Sequence, residues 1–322
     1  MSVVNRSIRC MTTAQTPLPL PTLLAEWDRH LRTVGRSPAT VTSYLHVAGS
    51  FVHWLDQFGH SCDARDVELA DCEQYLLDVR ERTSASNQVK HYRSLRQLWR
   101  WLVDVEDELA VSPMAKLEQP KTPVKPVPVI PDEQLTALLA ACAGRDFLDR
   151  RDAAMIRVLA GTGMRAGELL GLTVDGADEL SRPTGLDWQY DVAHVIGKGN
   201  RPRACPFGDE TGAALRRYLR ARTMHRDAGS AALWLGKRGP LAHDGLAQLL
   251  EHRCEIAGIP PINPHRFRHT FAHVWLSSGG QETDLMRLMG WRSRDMLARY
   301  AQSAADQRAH AAYRRLSVRD RF

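Results

Sequence analysis

Apolar positions in the first third of the chain recur every three to four residues in four runs, near residues 20–33, 38–57, 69–82 and 86–104. That period places the apolar side chains of each run on one helical face, so four amphipathic helices are predicted. Ser37-Pro38 and Ser86 supply start signals, with Pro38 at a first helical position where its missing N–H costs nothing. Residues 1–19 precede the first run without such a pattern and read as a flexible arm. The periodicity stops at PKTPVKPVPVIP, Pro120–Pro131, where five prolines oppose any regular element and predict a stiff, extended linker over 119–131.

Beyond the linker the pattern resumes. Pro131-Asp132-Glu133 opens a helix carrying Leu135, Leu138 and Leu139, and a second helix over 149–160 runs into Gly161-Thr162-Gly163-Met164-Arg165 before resuming through Leu170. Residues 189–207 change period: Tyr190, Val192, His194 and Ile196 alternate, Gly197-Lys198-Gly199-Asn200 turns, and Arg201–Phe207 returns, which is a β-hairpin. Helical periodicity follows near 209–227, 242–257, 264–279, 282–289, 293–298 and 303–316. The predicted fold is mainly α: a helical N-terminal domain over 20–118, then a mixed α/β domain with a small antiparallel sheet.

Composition narrows the class of partner. The 322 residues are 43% hydrophobic and 25% charged, ordinary for a chain with two buried cores, and no stretch of 18 apolar residues suggests a membrane span. The net charge of +6 is unevenly placed: Leu20–Gln119 holds 11 basic and 15 acidic side chains, Pro120–Phe322 holds 30 and 22. A polyanion would therefore meet the second domain's average field, but only a local basic face of the first. Lys90, Arg93, Arg96 and Arg100 form such a stripe on the fourth helix, although a solvated surface stripe has the same spacing. The six cysteines are widely spaced, with no C-x-x-C pair, so neither a zinc site nor a disulfide framework is predicted. With no apolar h-region near the start, the expected location is cytoplasmic and nucleoid-associated.

The chemistry-bearing residues sit at element ends. No P-loop or dinucleotide fingerprint is present, and the Gly161-Thr162-Gly163 match lacks its later glycine. Arg165 at a helix start is electrostatically awkward unless an anion binds there, and Glu168 one turn on can orient its guanidinium. A purely structural Arg165–Glu168 pair reads equally well in isolation. His265 and Arg268, three apart, combine a group that titrates near neutrality with a permanent cation, and His269 lies one turn beyond His265. Trp291 and Tyr300, each usually a packing residue, complete a set of polar and aromatic groups that suits phosphoryl transfer through a tyrosine.

In order along the chain, TGMRAGEL with Arg165 and Glu168, GKGNRPR with Lys198, HRFRH with His265 and Arg268, LMGWRS with Trp291 and LARY with Tyr300 resemble the tyrosine recombinases of the phage integrase family. Two positions depart from the usual pattern: many members carry histidine where Trp291 stands, and leucine where Phe267 stands. The resemblance implies a SAM-like core-binding domain over 20–118, a catalytic domain over 132–302, and a C-terminal helix and tail over 303–322 that docks in cis or on a neighbouring subunit. It implies a simple site-specific recombinase or integrase, of the kind found on mobile elements, acting through a 3′-phosphotyrosyl link and a Holliday junction. Tyr300 is then the nucleophile, Arg165 and Arg268 the phosphate clamp with Trp291 as a further donor, Lys198 the general acid, and His265 the proton acceptor. Glu168 and His269 would support them. Lys90, Arg93, Arg96, Arg100, Arg201 and Arg203 would contact double-stranded DNA at specific core sites. No cofactor or metal is implied. A homotetramer on two DNA sites is implied, compatible with a monomeric free chain and with an accessory recombinase or directionality factor. Topoisomerase-like relaxation and a catalytically idle architectural role remain the alternatives, and integration, transposition, plasmid resolution and chromosome-dimer resolution all stay open.

Overall fold

The four apolar runs of the first third fold as α1 (Leu20–Thr33), α2 (Pro38–Gln57), α3 (Leu69–Arg82) and α4 (Ala85–Asp104) in a computed structural model that describes residues 17–122, 128–174, 184–197, 199–294, 297, 313 and 314. Capping sets where they begin. Ser37 accepts the Thr40 backbone N–H through Oγ at 3.2 Å, and Pro38 is the first residue of α2. The start of α4 is set by Ser84 rather than Ser86: Ser84 has the extended backbone a cap needs, and its Oγ accepts the Asn87 N–H at 3.2 Å.

On α1 the buried residues Leu20, Leu23, Trp27 and Leu31 form one stripe. Equivalent stripes bring Phe51, Trp54, Tyr75, Trp99 and Trp101 into the same core. Trp27 stacks on Tyr44 with ring centroids 5.8 Å apart, and Phe51 meets Tyr75 edge-on at 5.0 Å. Truncating one such aromatic to alanine would cost about 3–5 kcal/mol. The Tyr75 hydroxyl and His91 Nδ1 lie 2.8 Å apart, so the polar ends of two buried rings satisfy each other.

Residue contacts divide the chain into two compact units, Met1–Lys125 and Pro126–Phe322. In the second, α5 (Asp132–Ala140), α6 (Phe147–Thr162) and the short α7 (Ala166–Leu170) precede three antiparallel strands, β1 (Gly185–Asp187), β2 (Val192–Gly197) and β3 (Arg201–Pro206). Then come α8 (Asp209–Arg222), a two-residue ladder of β4 (Leu235–Gly236) with β5 (Gly239–Pro240), and α9 (His243–Ile256), α10 (Pro264–Ser277) and α11 (Glu282–Met289). The hairpin and the helices were legible from periodicity, whereas β1, β4 and β5, two or three residues each, were not. Of the helix predicted over 293–298, residues 295, 296 and 298 lie outside the described residues while 294 and 297 are helical, and of 303–316 only residues 313 and 314 are described, as helical.

Along β2 the hairpin buries alternate residues. Ala193 and Val195 are buried, whereas Tyr190 lies before β2 and is exposed. Across the ladder Ala193 pairs with Cys205 and Val195 with Arg203. Directly opposed residues share a face, so Arg203 points into the domain.

Both ends of the proline-rich segment are held by the unit they adjoin. Gln119 Oε1 accepts from Arg93 Nε at 3.1 Å, and Leu117 O accepts from the Tyr92 hydroxyl at 2.8 Å. At the other end the Ile130 N–H donates to Thr270 Oγ1 at 2.9 Å, while Arg266 donates to Pro128 O and Val129 O at 3.3 and 3.4 Å. Residues 128–130 are therefore fastened to α10. Among the described residues, no helix is long and apolar enough to cross a membrane.

Candidate active site

A cavity of about 750 Å³ opens in the second unit where α7, β2, α9 and α10 meet, lined by Arg165, Glu168, Ile196, Gly197, His243, Asn263, His265 and Arg268. Arg165 is brought there by the break between α6 and α7. Its backbone is extended as the cap of α7, and its N–H donates to Glu168 Oε2 at 2.7 Å. The guanidinium also meets Glu168, with Nη1 to Oε1 at 2.8 Å, and is a third exposed, so it is oriented yet reachable. Glu168 is buried and takes a second arginine, Arg203 Nη2, on Oε2 at 2.6 Å. Burial alone would raise the Glu168 carboxyl; the Arg203 hydrogen bond and charge, followed by Arg165, outweigh it and hold the group below the usual glutamate range.

The opposite wall is α10. Asn263 caps this helix, its Oδ1 accepting the Arg266 N–H at 3.1 Å, and Pro264 occupies the first position, so His265 and Arg268 emerge from the first turn on one side. Arg268 is buried and donates from Nη1 to Gly163 O at 2.9 Å and from Nη2 to Met289 O at 2.5 Å. It thereby ties the α6–α7 break to the end of α11. Trp291 follows immediately, buried, with its ring centroid 5.6 Å from the Arg268 guanidinium carbon. His265 is exposed at the cavity; partial loss of solvent around the ring, then the charges of Arg268 and Arg165, lower its pKa, so its imidazole is neutral at neutral pH. His269 is buried one turn further along and does not line the cavity.

Of the residues singled out by sequence, Arg165, Glu168, His265 and Arg268 thus share one cavity, and Trp291 stacks behind Arg268. Lys198 and Tyr300 lie outside the described residues; Gly197, which lines the cavity, precedes Lys198 directly. Lys90, Arg93, Arg96 and Arg100 are all exposed on α4, and the last three border a shallow cavity of about 450 Å³. Arg100 pairs with Asp104 at 2.9 Å. Arg201 is exposed at the start of β3. Arg203, grouped by sequence with the DNA contacts, has a side chain only 8% exposed that pairs with Glu168, because its cross-strand partner Val195 belongs to the buried face. His243 and Asn263 were not singled out by sequence, although Asn263-Pro264 is itself a cap signal. Among the described residues, no three His, Cys, Asp or Glu side chains cluster to hold a metal.

Comparison with known proteins follows the same division. The family model described as Phage integrase family matches residues 128–307, and that of the phage integrase N-terminal SAM-like domain matches residues 23–108. The tyrosine recombinase XerD of Corynebacterium glutamicum is 30% identical over 297 residues, covering 88% of this chain and 94% of that protein. Among solved structures, the XerH site-specific recombinase bound to palindromic difH substrate superposes with a TM-score of 0.69 at 15% identity, over 90% of this chain and 83% of the other. The Tn1549 transposon integrase in complex with transposon right end DNA gives a TM-score of 0.68 at 20% identity, over 93% and 100%.

Proposed function

The chain belongs to the phage integrase family of tyrosine recombinases, whose activity is site-specific DNA recombination, and we propose that it cleaves and rejoins DNA through a 3′-phosphotyrosyl intermediate on Tyr300. The observation that carries this reading is the convergence of two arginines and a neutral histidine on one cavity, Arg165 anchored by Glu168 and Arg268 by the carbonyls of Gly163 and Met289. A diester phosphate repels nucleophiles and gains charge on its non-bridging oxygens in the five-coordinate transition state, and fixed guanidinium groups lower that barrier.

In this reaction the Tyr300 oxygen attacks phosphorus, forming the P–O(Tyr) bond as the P–O5′ bond breaks. The phenol has a reference pKa near 10, so its proton needs an acceptor, and the neutral imidazole of His265 is suited to take it. Lys198 gives a proton to the departing 5′ oxygen. Trp291 can donate its indole N–H to a phosphate oxygen but cannot carry a proton, which distinguishes it from a histidine at that place. His269, buried on α10, would have a supporting role rather than contact with the phosphate. Because the tyrosyl ester conserves the diester's energy, a 5′-hydroxyl from a second duplex can displace Tyr300 in the reverse reaction. Two such rounds pass through a Holliday junction and require four sites, hence a tetramer on two duplexes. The α4 stripe is the surface on which the N-terminal unit would meet phosphates.

Incubation with a library of nicked suicide duplexes tests the reading. A protein–DNA adduct that survives denaturation is expected, together with its loss in Tyr300→Phe. A folded parent without adduct across the library would sink the proposal, and DNA relaxation without strand exchange between two recovered sites would favour the topoisomerase-like alternative.

A further inference from the structure

Arg203 reaches three parts of the candidate site at once. From β3 its Nη2 and Nε face the Glu168 carboxylate at 2.6 and 3.4 Å, and its Nη1 donates to Leu288 O in the last turn of α11. The next carbonyl, Met289 O, is taken by Arg268, so two arginines grip successive acceptors at the negative end of α11 immediately before Trp291. Space around this contact is tight: a Cβ on Gly290 would lie 3.1 Å from Arg203 Cδ, and one on Gly197 would lie 3.2 Å from Glu168 Oε1. The strand end that leads to Lys198 therefore abuts the same carboxylate.

A carboxylate bound only by Arg165 could rotate with that partly exposed side chain. Bound also by a buried guanidinium anchored to α11, it cannot turn without breaking several charge-assisted hydrogen bonds. We infer that Arg203 is a positioning residue, fixing Glu168, and through it Arg165, relative to the end of α11 that carries Trp291. This inference rests on the phosphotyrosyl reading of the same cavity, and it replaces the DNA-contact role that sequence suggested for Arg203.

The test uses the full chain with Arg203→Met, Arg203→Lys, Glu168→Gln and the Arg203→Met/Glu168→Gln double variant. Single-turnover adduct formation is measured on a nicked suicide duplex recovered with the parent, alongside the dissociation constant and its salt dependence. Arg203→Met is expected to slow adduct formation about 100-fold, the scale of a misplaced reacting group. Its affinity should stay within about threefold of the parent's, with an unchanged salt slope, since no phosphate contact is lost. Arg203→Lys, able to meet one acceptor but not both, should fall between. The double variant should be no slower than the slower single variant, because the two substitutions break one linkage. An Arg203→Met rate equal to the parent's overturns the inference. So does a parent-like rate with weaker binding and a salt slope reduced by about 1, which would return Arg203 to a phosphate contact. Rate losses that multiply in the double variant would also overturn it, by showing that Arg203 acts independently of Glu168. If Arg203→Met does not fold, Arg203→Lys carries the same test of slowed adduct at parent affinity. A parent that forms no adduct overturns the phosphotyrosyl reading and this inference with it, whereas adduct from the parent with unaffected variants overturns this inference alone.

Discussion

Glu168 shows how much one buried carboxylate can organise. It is 5% exposed and faces two guanidinium groups, so Glu168→Ala strands Arg203 without its anionic partner in a low-dielectric site. Breaking a buried pair from one side typically costs 3–5 kcal/mol, and urea unfolding should register a loss of about that size for Glu168→Ala and a smaller one for the isosteric Glu168→Gln. His265 makes a pH prediction. Its pKa is lowered in the folded, DNA-free protein, so the neutral acceptor persists to lower pH than an ordinary imidazole would. The acid limb of the second-order rate of adduct formation should therefore lie below about pH 6.5, and His265→Gln should remove it along with most of the activity. A limb above that pH would contradict the assignment. At this scale the sequence was informative where chemistry is local: Arg165 with Glu168, and His265 with Arg268, are each within one helical turn. The inward place of Arg203 was not legible, because a strand's alternation gives two faces and only packing decides which is buried; here it is the face of Ala193 and Val195.

Helix boundaries carry their own chemistry. The limits of α2 and α11 coincide with those read from periodicity, because a cap or a glycine stop flanks a clear apolar stripe in each. The start of α4 was read at Ser86 and lies at Ser84, since the two serines are equally good caps by type and only backbone conformation separates them. Ser84→Ala should lower stability by about 1 kcal/mol in thermal unfolding, whereas Ser86→Ala should stay within about 0.5 kcal/mol. On the same helix, alanine at Arg93, Arg96 or Arg100 should weaken binding to all DNA sequences alike and reduce the salt slope by about 1 each. Unchanged slopes would mark the stripe as a solvated face. The short strands β1, β4 and β5 escaped the sequence reading because two or three residues contain no period to detect.

The whole molecule carries two cores of different chemistry. Four of the eight tryptophans, Trp27, Trp54, Trp99 and Trp101, fill the N-terminal core, which also buries the Tyr75–His91 pair. Burial, then nearby positive charge from Lys90, His46 and Arg82, lowers the His91 pKa to about 4. The unfolded chain binds that proton near pH 6.5, so the stability contributed by neutral His91 is complete above that value and lost as pH falls towards about 4. The loss is on the order of 3 kcal/mol, and acid titration followed by tryptophan fluorescence should show it, weakened in His91→Gln. Charge division between the two parts was readable from residue counts alone, because electrostatic sums need no fold.

The fastening of Pro128, Val129 and Ile130 to α10 has a practical side. A catalytic fragment excised at Lys121 would retain every acceptor and donor that Arg266 and Thr270 use, whereas one begun at Pro131 would take from Arg266 its acceptors Pro128 O and Val129 O, leaving it Pro261 O, and from Thr270 the Ile130 donor, on the helix that also bears His265 and Arg268. The shorter fragment should be poorer in both stability and chemistry, so the useful seam for recombining this module with foreign DNA-recognition modules lies upstream of residue 128.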